Sequence, residues 1–180
     1  MLEDRLLAWR FKKGSRAALR SIYEKYFDYL LTVATALLHD VNAAEDVVHD
    51  SFVKLSESRH LLNPRSSLKW YLVACVSNRA RDELRARRHK AVGLDEALSL
   101  PSQAGGPASA AVRNEEMQFL TDALKQLPYE QREVVVLRTR GRMSFKAIAE
   151  LRQISVKTVQ SRYRYGLDKL KTLLNGQVKP

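Results

Sequence analysis

The stretch Met143-Ser-Phe-Lys-Ala-Ile-Ala-Glu-Leu-Arg-Gln-Ile-Ser-Val-Lys-Thr-Val-Gln-Ser-Arg-Tyr-Arg-Tyr165 constrains this chain most, because it reads as two short helices joined by a tight turn. Ser144 can cap the first helix and Ser155 the second, each offering its oxygen to an orphan N–H of the first turn. Phe145, Ile148, Ala149, Leu151, Ile154, Val156 and Val159 then make a small apolar seam between the two helices. With that seam inward, Lys157, Gln160, Ser161, Arg164 and Tyr165 lie on or near the opposite face of the second helix. Base edges and phosphates of duplex DNA are within reach of such a face. Any pair of capped amphipathic helices gives a similar pattern, so the motif alone leaves a purely structural role open. The turn carries Arg152-Gln153 where a glycine often sits, and a non-glycine residue there costs about 1 kcal/mol if the backbone needs a positive φ.

The chain has 180 residues, room for one medium domain or two small ones, and 45% hydrophobic residues, which suits folded material. Its net charge of +11 calls for a polyanionic partner, nucleic acid or an anionic membrane surface. The first ten residues include acidic Glu3 and Asp4 and no apolar run of signal-peptide length, and no later run approaches a membrane span; a cytoplasmic protein without membrane insertion is expected. The single cysteine, Cys75, sits in the apolar run Trp70-Tyr-Leu-Val-Ala-Cys-Val76 and reads as a small core residue.

From about Ser15 to Lys90 the pattern is helical, with almost no Gly or Pro. Leu19, Ile22, Tyr23, Tyr26, Phe27, Leu30, Leu31, Ala34, Leu37 and Leu38 recur at three and four, predicting one helix of roughly six turns. Asn42 can cap a second helix carrying Val47, Val48, Phe52 and Leu55. Asn63-Pro-Arg-Ser-Ser67 marks a loop before a third helix, from about Leu68 to Lys90. The stretch Leu98–Ala111 is rich in Gly, Pro, Ser and Ala and reads as a flexible tether. Helical periodicity returns at Met117, Leu120, Leu124 and Leu127, stops at Pro128 and restarts through Val134, Val135 and Leu137. The expected fold is all-α, two small helical domains joined by a flexible linker: a helical bundle over residues 1–91, a linker over 92–112, and a helix-turn-helix domain over 113–180.

Charge is unevenly spread. Arg79, Arg81, Arg85, Arg87, Arg88 and Lys90 crowd the end of the third helix, a solvated helix end or a strip that contacts phosphates. Trp70 and Tyr71 lie upstream, where exposed rings can stack on unpaired bases and buried ones serve the core. Glu45, Asp46, Asp50 and Glu57 make the second helix acidic, which suits a basic protein partner, while Glu45 and Asp46 in a first helical turn also favour the helix dipole. His49 with Glu45, and His39 with Asp40, lack a third ligand at metal spacing. There is no phosphate-binding glycine loop and no nucleophile elbow, so neither an enzyme nor a resident metal or cofactor is expected.

In order and spacing, Leu19-Arg-Ser-Ile-Tyr-Glu-Lys-Tyr-Phe-Asp-Tyr-Leu30, Ala44-Glu-Asp-Val-Val-His-Asp-Ser-Phe-Val-Lys-Leu55, Pro64–Arg85 and Leu127–Leu137 running into the helix-turn-helix resemble the ECF group of the sigma-70 family of bacterial RNA polymerase sigma factors. The resemblance implies a promoter-specificity subunit without catalysis of its own, with core RNA polymerase and promoter DNA as partners. It puts Glu45, Asp46, Asp50, Phe52 and Lys54 on the clamp helices of the largest catalytic subunit. It puts Arg65, Lys69, Trp70, Asn78, Arg79, Arg81 and Arg85 at the minus-ten element, Asn78 near a flipped base. It puts Gln160, Ser161, Arg164 and Tyr165 on bases of the minus-thirty-five element, with Lys157, Thr158 and Arg162 on phosphates. An anti-sigma partner stays open. The sequence departs from common family members at Gln160 and Tyr165, where basic residues are frequent, at Gly141-Arg142, where the usual glycine is shifted by one, and at Gln153 in the turn. A helix-turn-helix repressor or activator that works without polymerase, and a basic helical protein that binds nucleic acid or membrane nonspecifically, are the competing readings.

Overall fold

A computed structural model describes residues 2–63, 67–92 and 111–175. Eight α-helices account for nearly all of them: α1 (Leu2–Lys12), α2 (Arg16–Leu38), α3 (Val41–Glu57), α4 (Leu68–Val92), α5 (Ala111–Lys125), α6 (Tyr129–Thr139), α7 (Phe145–Arg152) and α8 (Val156–Asn175), with one 3-10 turn at Arg59–Leu61. No strand occurs among the described residues. The chain divides into two compact units, residues 1–95 and 96–180. The expected linker over residues 92–112 lies mostly outside the described residues; Val92 still belongs to α4, and Ala111 and Val112 already belong to α5.

In the first unit α2 is the spine. Ser15 caps it, accepting the Ala18 N–H at 3.2 Å, and its stripe Ala18, Ile22, Tyr26, Leu30, Val33, Ala34, Leu37 and Leu38 is buried. Ile22, Leu30 and Leu37 are wholly withdrawn from solvent, each worth roughly 1.5–3 kcal/mol of apolar burial. His39 ends α2 in the left-handed conformation, φ 57°. Asp40 starts α3 at once, its Oδ1 accepting the Ala43 N–H at 3.0 Å. The expected cap, Asn42, therefore lies inside the helix. Two-residue spacing separates two good capping side chains, and the closing of α2 at His39 selects the earlier one. Glu45 and Asp46 consequently fall in the second turn of α3, and no carboxylate occupies its first.

Against α2 and α3 packs α4, burying Leu68, Leu72, Val73, Val76, Ser77 and Ala80 along one side. Beyond Ala80 the helix carries no buried residue as far as His89. Cys75 is partly buried on this helix, and burial pushes its thiol pKa up, as suits a small packing residue rather than a nucleophile. The start of the chain is helical too. Ala8 and Phe11 bury α1 on the bundle, Lys25 grips Glu3 at 2.6 Å and Asp4 at 3.0 Å, and Lys12 donates to the Leu62 carbonyl at 3.0 Å.

The second unit is built around α6, in which Arg132, Glu133, Val134, Val135, Val136 and Leu137 are consecutively buried; a helix covered on every side is a core element. A Cβ on Gly166 of α8 would stand 2.8 Å from Val135 Cγ2, so this glycine sets how closely α8 crosses α6. Ala123, Leu127, Val135 and Leu170 complete the core of that crossing.

The Asp40 carboxylate has two tasks: it caps α3, and it accepts Arg87 Nη2 of α4 at 3.1 Å. The Ala43 N–H, and behind it Arg87, hold its pKa below the usual carboxylate range despite some burial. Because the folded value lies below the unfolded one, this contribution is complete above about pH 4 and fades as pH falls through the folded value. Asp40→Ala should lower stability by about 1 kcal/mol at pH 7 in urea unfolding. The difference from wild type should narrow at pH 3.

Candidate nucleic-acid interface

The two-helix motif forms as its side chains require. Ser144 Oγ accepts the Ala147 N–H at 3.1 Å and Ser155 Oγ accepts the Thr158 N–H at 3.0 Å. Between them α7 closes in a Schellman turn: the Ile154 N–H reaches the Ala149 carbonyl at 3.1 Å and the Gln153 N–H reaches Glu150 at 3.3 Å. That geometry needs a left-handed residue. Gln153 supplies it at φ 53°, so the penalty of about 1 kcal/mol for a side chain there is incurred. Ile148, Ala149 and Val159 form the buried seam, flanked by half-buried Leu151 and Ile154 and by Phe145, edge-on to Tyr163 at 5.2 Å. Val156 departs from the expected seam: it is 40% exposed, the first residue of α8.

The turn is anchored by a contact that periodicity does not announce. Arg152, the last residue of α7, pairs with Glu133 of α6 at 2.7 Å, with side chains 4% and 1% exposed. Glu133 also accepts the Tyr129 hydroxyl at 3.0 Å. From this platform α8 turns Lys157, Thr158, Gln160, Arg164 and Tyr165 to solvent, with Ser161 and Arg162 half-buried beside them. Thr158 also bonds the capping Ser155, hydroxyl to hydroxyl at 2.9 Å. The Arg164 guanidinium lies 5.1 Å from the Tyr165 ring centroid. The outward face is thus cationic, amide-bearing and aromatic, which suits both phosphates and base edges.

On α4, at about 100° per residue, Trp70, Asn78, Arg81 and Arg85 fall within about 80° of one another. Trp70 is 42% exposed, and Asn78 and Arg85 are exposed while Arg81 is half-buried. Lys69 leaves this stripe, its Nζ 3.8 Å above the Tyr29 ring. Arg79 also leaves it. Its Nε donates to Asp50 Oδ2 of α3 at 3.0 Å, so this arginine joins the acidic helix instead of extending the basic strip. Arg65 lies outside the described residues.

The acidic helix presents Glu45, Asp46 and Lys54 to solvent, with Asp50 half-buried against Arg79. Between α3 and α4 runs a polar groove of about 230 Å³, lined by Asp40, Asp46, Asp50, Arg79, Glu83 and Arg87. Acidic and basic side chains thus meet along a shared seam rather than occupying separated faces. Phe52 of the same helix, α3, is 6% exposed and packs against α2, its ring 4.9 Å from that of Tyr23. His49 lies against Tyr23 and Phe27, at 6.0 Å and 5.4 Å between ring centroids. No group of three metal-ligating side chains occurs among the described residues.

Comparison with known proteins agrees with this geometry. The family Sigma-70 region 2 matches residues 22–90, and Sigma-70, region 4 matches residues 119–170. The RNA polymerase sigma factor CarQ of Myxococcus xanthus is 30% identical over 168 residues, covering 92% of this chain and 94% of that protein. The ECF RNA polymerase sigma factor SigW of Bacillus subtilis is 26% identical, covering 91% and 92%. Among solved structures, CnrH in complex with the cytosolic domain of CnrY has a fold similar over 97% of this chain and 98% of that one, with a TM-score of 0.72 at 24% identity. The sigma factor RpoE of Bartonella quintana, in complex with the anti-sigma factor NepR, gives a TM-score of 0.67 at 21% identity, covering 88% and 99%.

Two substitutions test the anchoring of α7. Glu133→Ala leaves Arg152 buried without its carboxylate and should lower stability by about 3–5 kcal/mol. Gln153→Gly relieves the left-handed strain and should raise stability by about 0.5–1 kcal/mol. Both are read by thermal or urea unfolding of the whole chain. A neutral Glu133→Ala would show that the pair does not hold the motif.

Proposed function

The chain belongs to the ECF group of the sigma-70 family of RNA polymerase sigma factors, and from that premise we propose which surfaces perform the family's work. Family membership sets aside the free-standing repressor or activator. The observation that carries the assignment is that each unit presents one outward stripe of nucleic-acid chemistry on a helix whose other side is packed: Trp70, Asn78, Arg81 and Arg85 on α4, and Lys157, Gln160 and Arg164 on α8.

The α8 stripe takes the minus-thirty-five element as duplex, with Gln160, Ser161, Arg164 and Tyr165 toward base edges and Lys157, Thr158 and Arg162 toward phosphates. The α4 stripe takes the minus-ten element as it melts. Trp70 offers a stacking face worth about 1–3 kcal/mol per base. Asn78 has the donor and acceptor needed to read the Watson–Crick edge of an extruded base, and Arg81 and Arg85 follow the backbone. Lys69, and Arg65 three residues before α4 in the sequence, serve the same element.

Glu45 and Asp46 are the outward carboxylates of α3 and dock on the clamp helices of the largest polymerase subunit, with Lys54 at the edge. Asp50 contributes through its pair with Arg79. Catalysis belongs to the polymerase, and this chain supplies specificity, acting in the cytoplasm where that enzyme works. Among the described residues no helix is long and apolar enough to cross a membrane. The RpoE structure holds an anti-sigma factor, and on that likeness a protein inhibitor is a reasonable partner here.

Transcription by purified bacterial core polymerase on a library of promoter fragments tests the whole reading. Defined start sites should arise only when this protein is added; their absence would overturn it. Asp46→Arg should weaken core binding at least tenfold with the unfolding midpoint unchanged, since Asp46 is exposed. Asn78→Ala should slow open-complex formation more than it weakens duplex binding. Equal losses in both steps would remove Asn78 from base capture.

A further inference from the structure

Between α6 and α7 the chain makes a wrapped turn that none of the surfaces above uses. From Arg138 to Lys146 it carries four cations, Arg138, Arg140, Arg142 and Lys146, and no carboxylate. All four are exposed. The turn is rigid: the Gly141 N–H bonds the Val136 carbonyl at 2.9 Å, the Met143 N–H bonds Leu137 at 3.0 Å, and Met143 is buried. Arg138 braces it along the surface, donating to the Met143 carbonyl at 3.1 Å with its guanidinium 5.0 Å from the Phe145 ring centroid.

Within this wrap two adjacent residues have divided the work of one glycine. Position 141 needs a glycine for space, because a Cβ there would lie 2.5 Å from the Leu137 carbonyl oxygen. The left-handed conformation falls on the next residue, Arg142, at φ 51°. A glycine would adopt that conformation without strain. Instead a long cation is held there, pointing away from the core, and among the described residues its guanidinium makes no ion pair or side-chain hydrogen bond. Strain kept at an exposed charged residue calls for a functional explanation.

The ligand follows from the docking geometry of helix-turn-helix motifs: when the second helix lies in the major groove, the first crosses the phosphate backbone. Arg142 precedes the first helix, α7, by three residues, and Lys146 is that helix's second residue. We propose that the Arg138–Lys146 turn is a second DNA contact, in which Arg142, with Lys146, binds a backbone phosphate beside the groove occupied by α8. The contact rests on the reading of α8 as the duplex-binding helix. It is sequence-independent, setting register and strength while α8 sets preference.

The test uses the full chain assembled with core polymerase on a promoter selected from the library, with affinity measured across a salt series. Arg142→Gly should raise the unfolding midpoint by a few degrees. It should also weaken promoter binding roughly 3- to 10-fold, uniformly over minus-thirty-five variants, and reduce the slope of log K against log salt by about 1. Arg142→Gln should show the same binding loss without the gain in stability. Arg164→Ala, in parallel, should change preference at particular base pairs. If both Arg142 variants bind like wild type with an unchanged slope while Arg164→Ala alters preference, the phosphate contact is overturned and the α8 reading stands. A loss at Arg142 confined to certain sequences would also overturn it. No effect from any of the three removes the α8 reading and this contact together.

Discussion

A carboxylate and a guanidinium withdrawn from water hold the helix-turn-helix to the rest of its unit. Glu133 and Arg152 have little solvent left around either side chain, so each has lost hydration worth several kcal/mol and depends on the other for compensation. The Tyr129 hydroxyl satisfies Glu133 further. Such a pair adds little net stability compared with a good apolar contact, but it tolerates only one arrangement. That uniqueness matters here because Arg152 is the residue before the turn. Fixing it to α6 fixes the end of α7, and Gln153 is then held left-handed by its surroundings. The direction in which α8 leaves the turn follows.

The first unit uses charge differently. Its pairs are half-exposed: Lys25 with Glu3 and Asp4, Arg79 with Asp50, Arg87 with Asp40 and Glu83. Pairs of this kind contribute at most about 1 kcal/mol each. Their effect is on what remains. By pairing Arg79 and Arg87 with acids, the α3–α4 seam takes those two cations of α4 away from its Trp70 side.

What could be read from sequence alone divides along physical lines. The helices were legible wherever burial repeats at three and four, as along α2, and the caps Ser144 and Ser155 were legible because each precedes an apolar run. The acidic and basic segments were recognisable as clusters. Their facing was not: Arg79 and Arg81 are two residues apart, yet about 200° of helical rotation separates them, and a count of charges cannot see that one is taken by Asp50. The Glu133–Arg152 pair joins residues distant in sequence that periodicity does not connect. Hydrophobicity alone places Val156 in the seam, but the first residue of a helix has a turn on only one side to cover it. Among its described side chains α1 buries only Ala8 and Phe11, too short a stripe to stand out.

The departures from common family members acquire a physical meaning once the backbone is known. Arg142 lies just before α7 and Gln153 just after it, and both occupy left-handed conformations that glycine adopts without strain. Together they cost about 2 kcal/mol, a substantial share of the 5–15 kcal/mol by which a domain is stable. Glycines at both places would relieve that strain, but they would also let the flanking backbone move. Instead each turn is braced by a charged side chain: exposed Arg138 onto Met143 and Phe145 at one end, buried Arg152 onto Glu133 at the other. Helix α7 is therefore held at both ends by electrostatic contacts. Its position depends on the cohesion of the α6 core rather than on the conformational freedom of its turns.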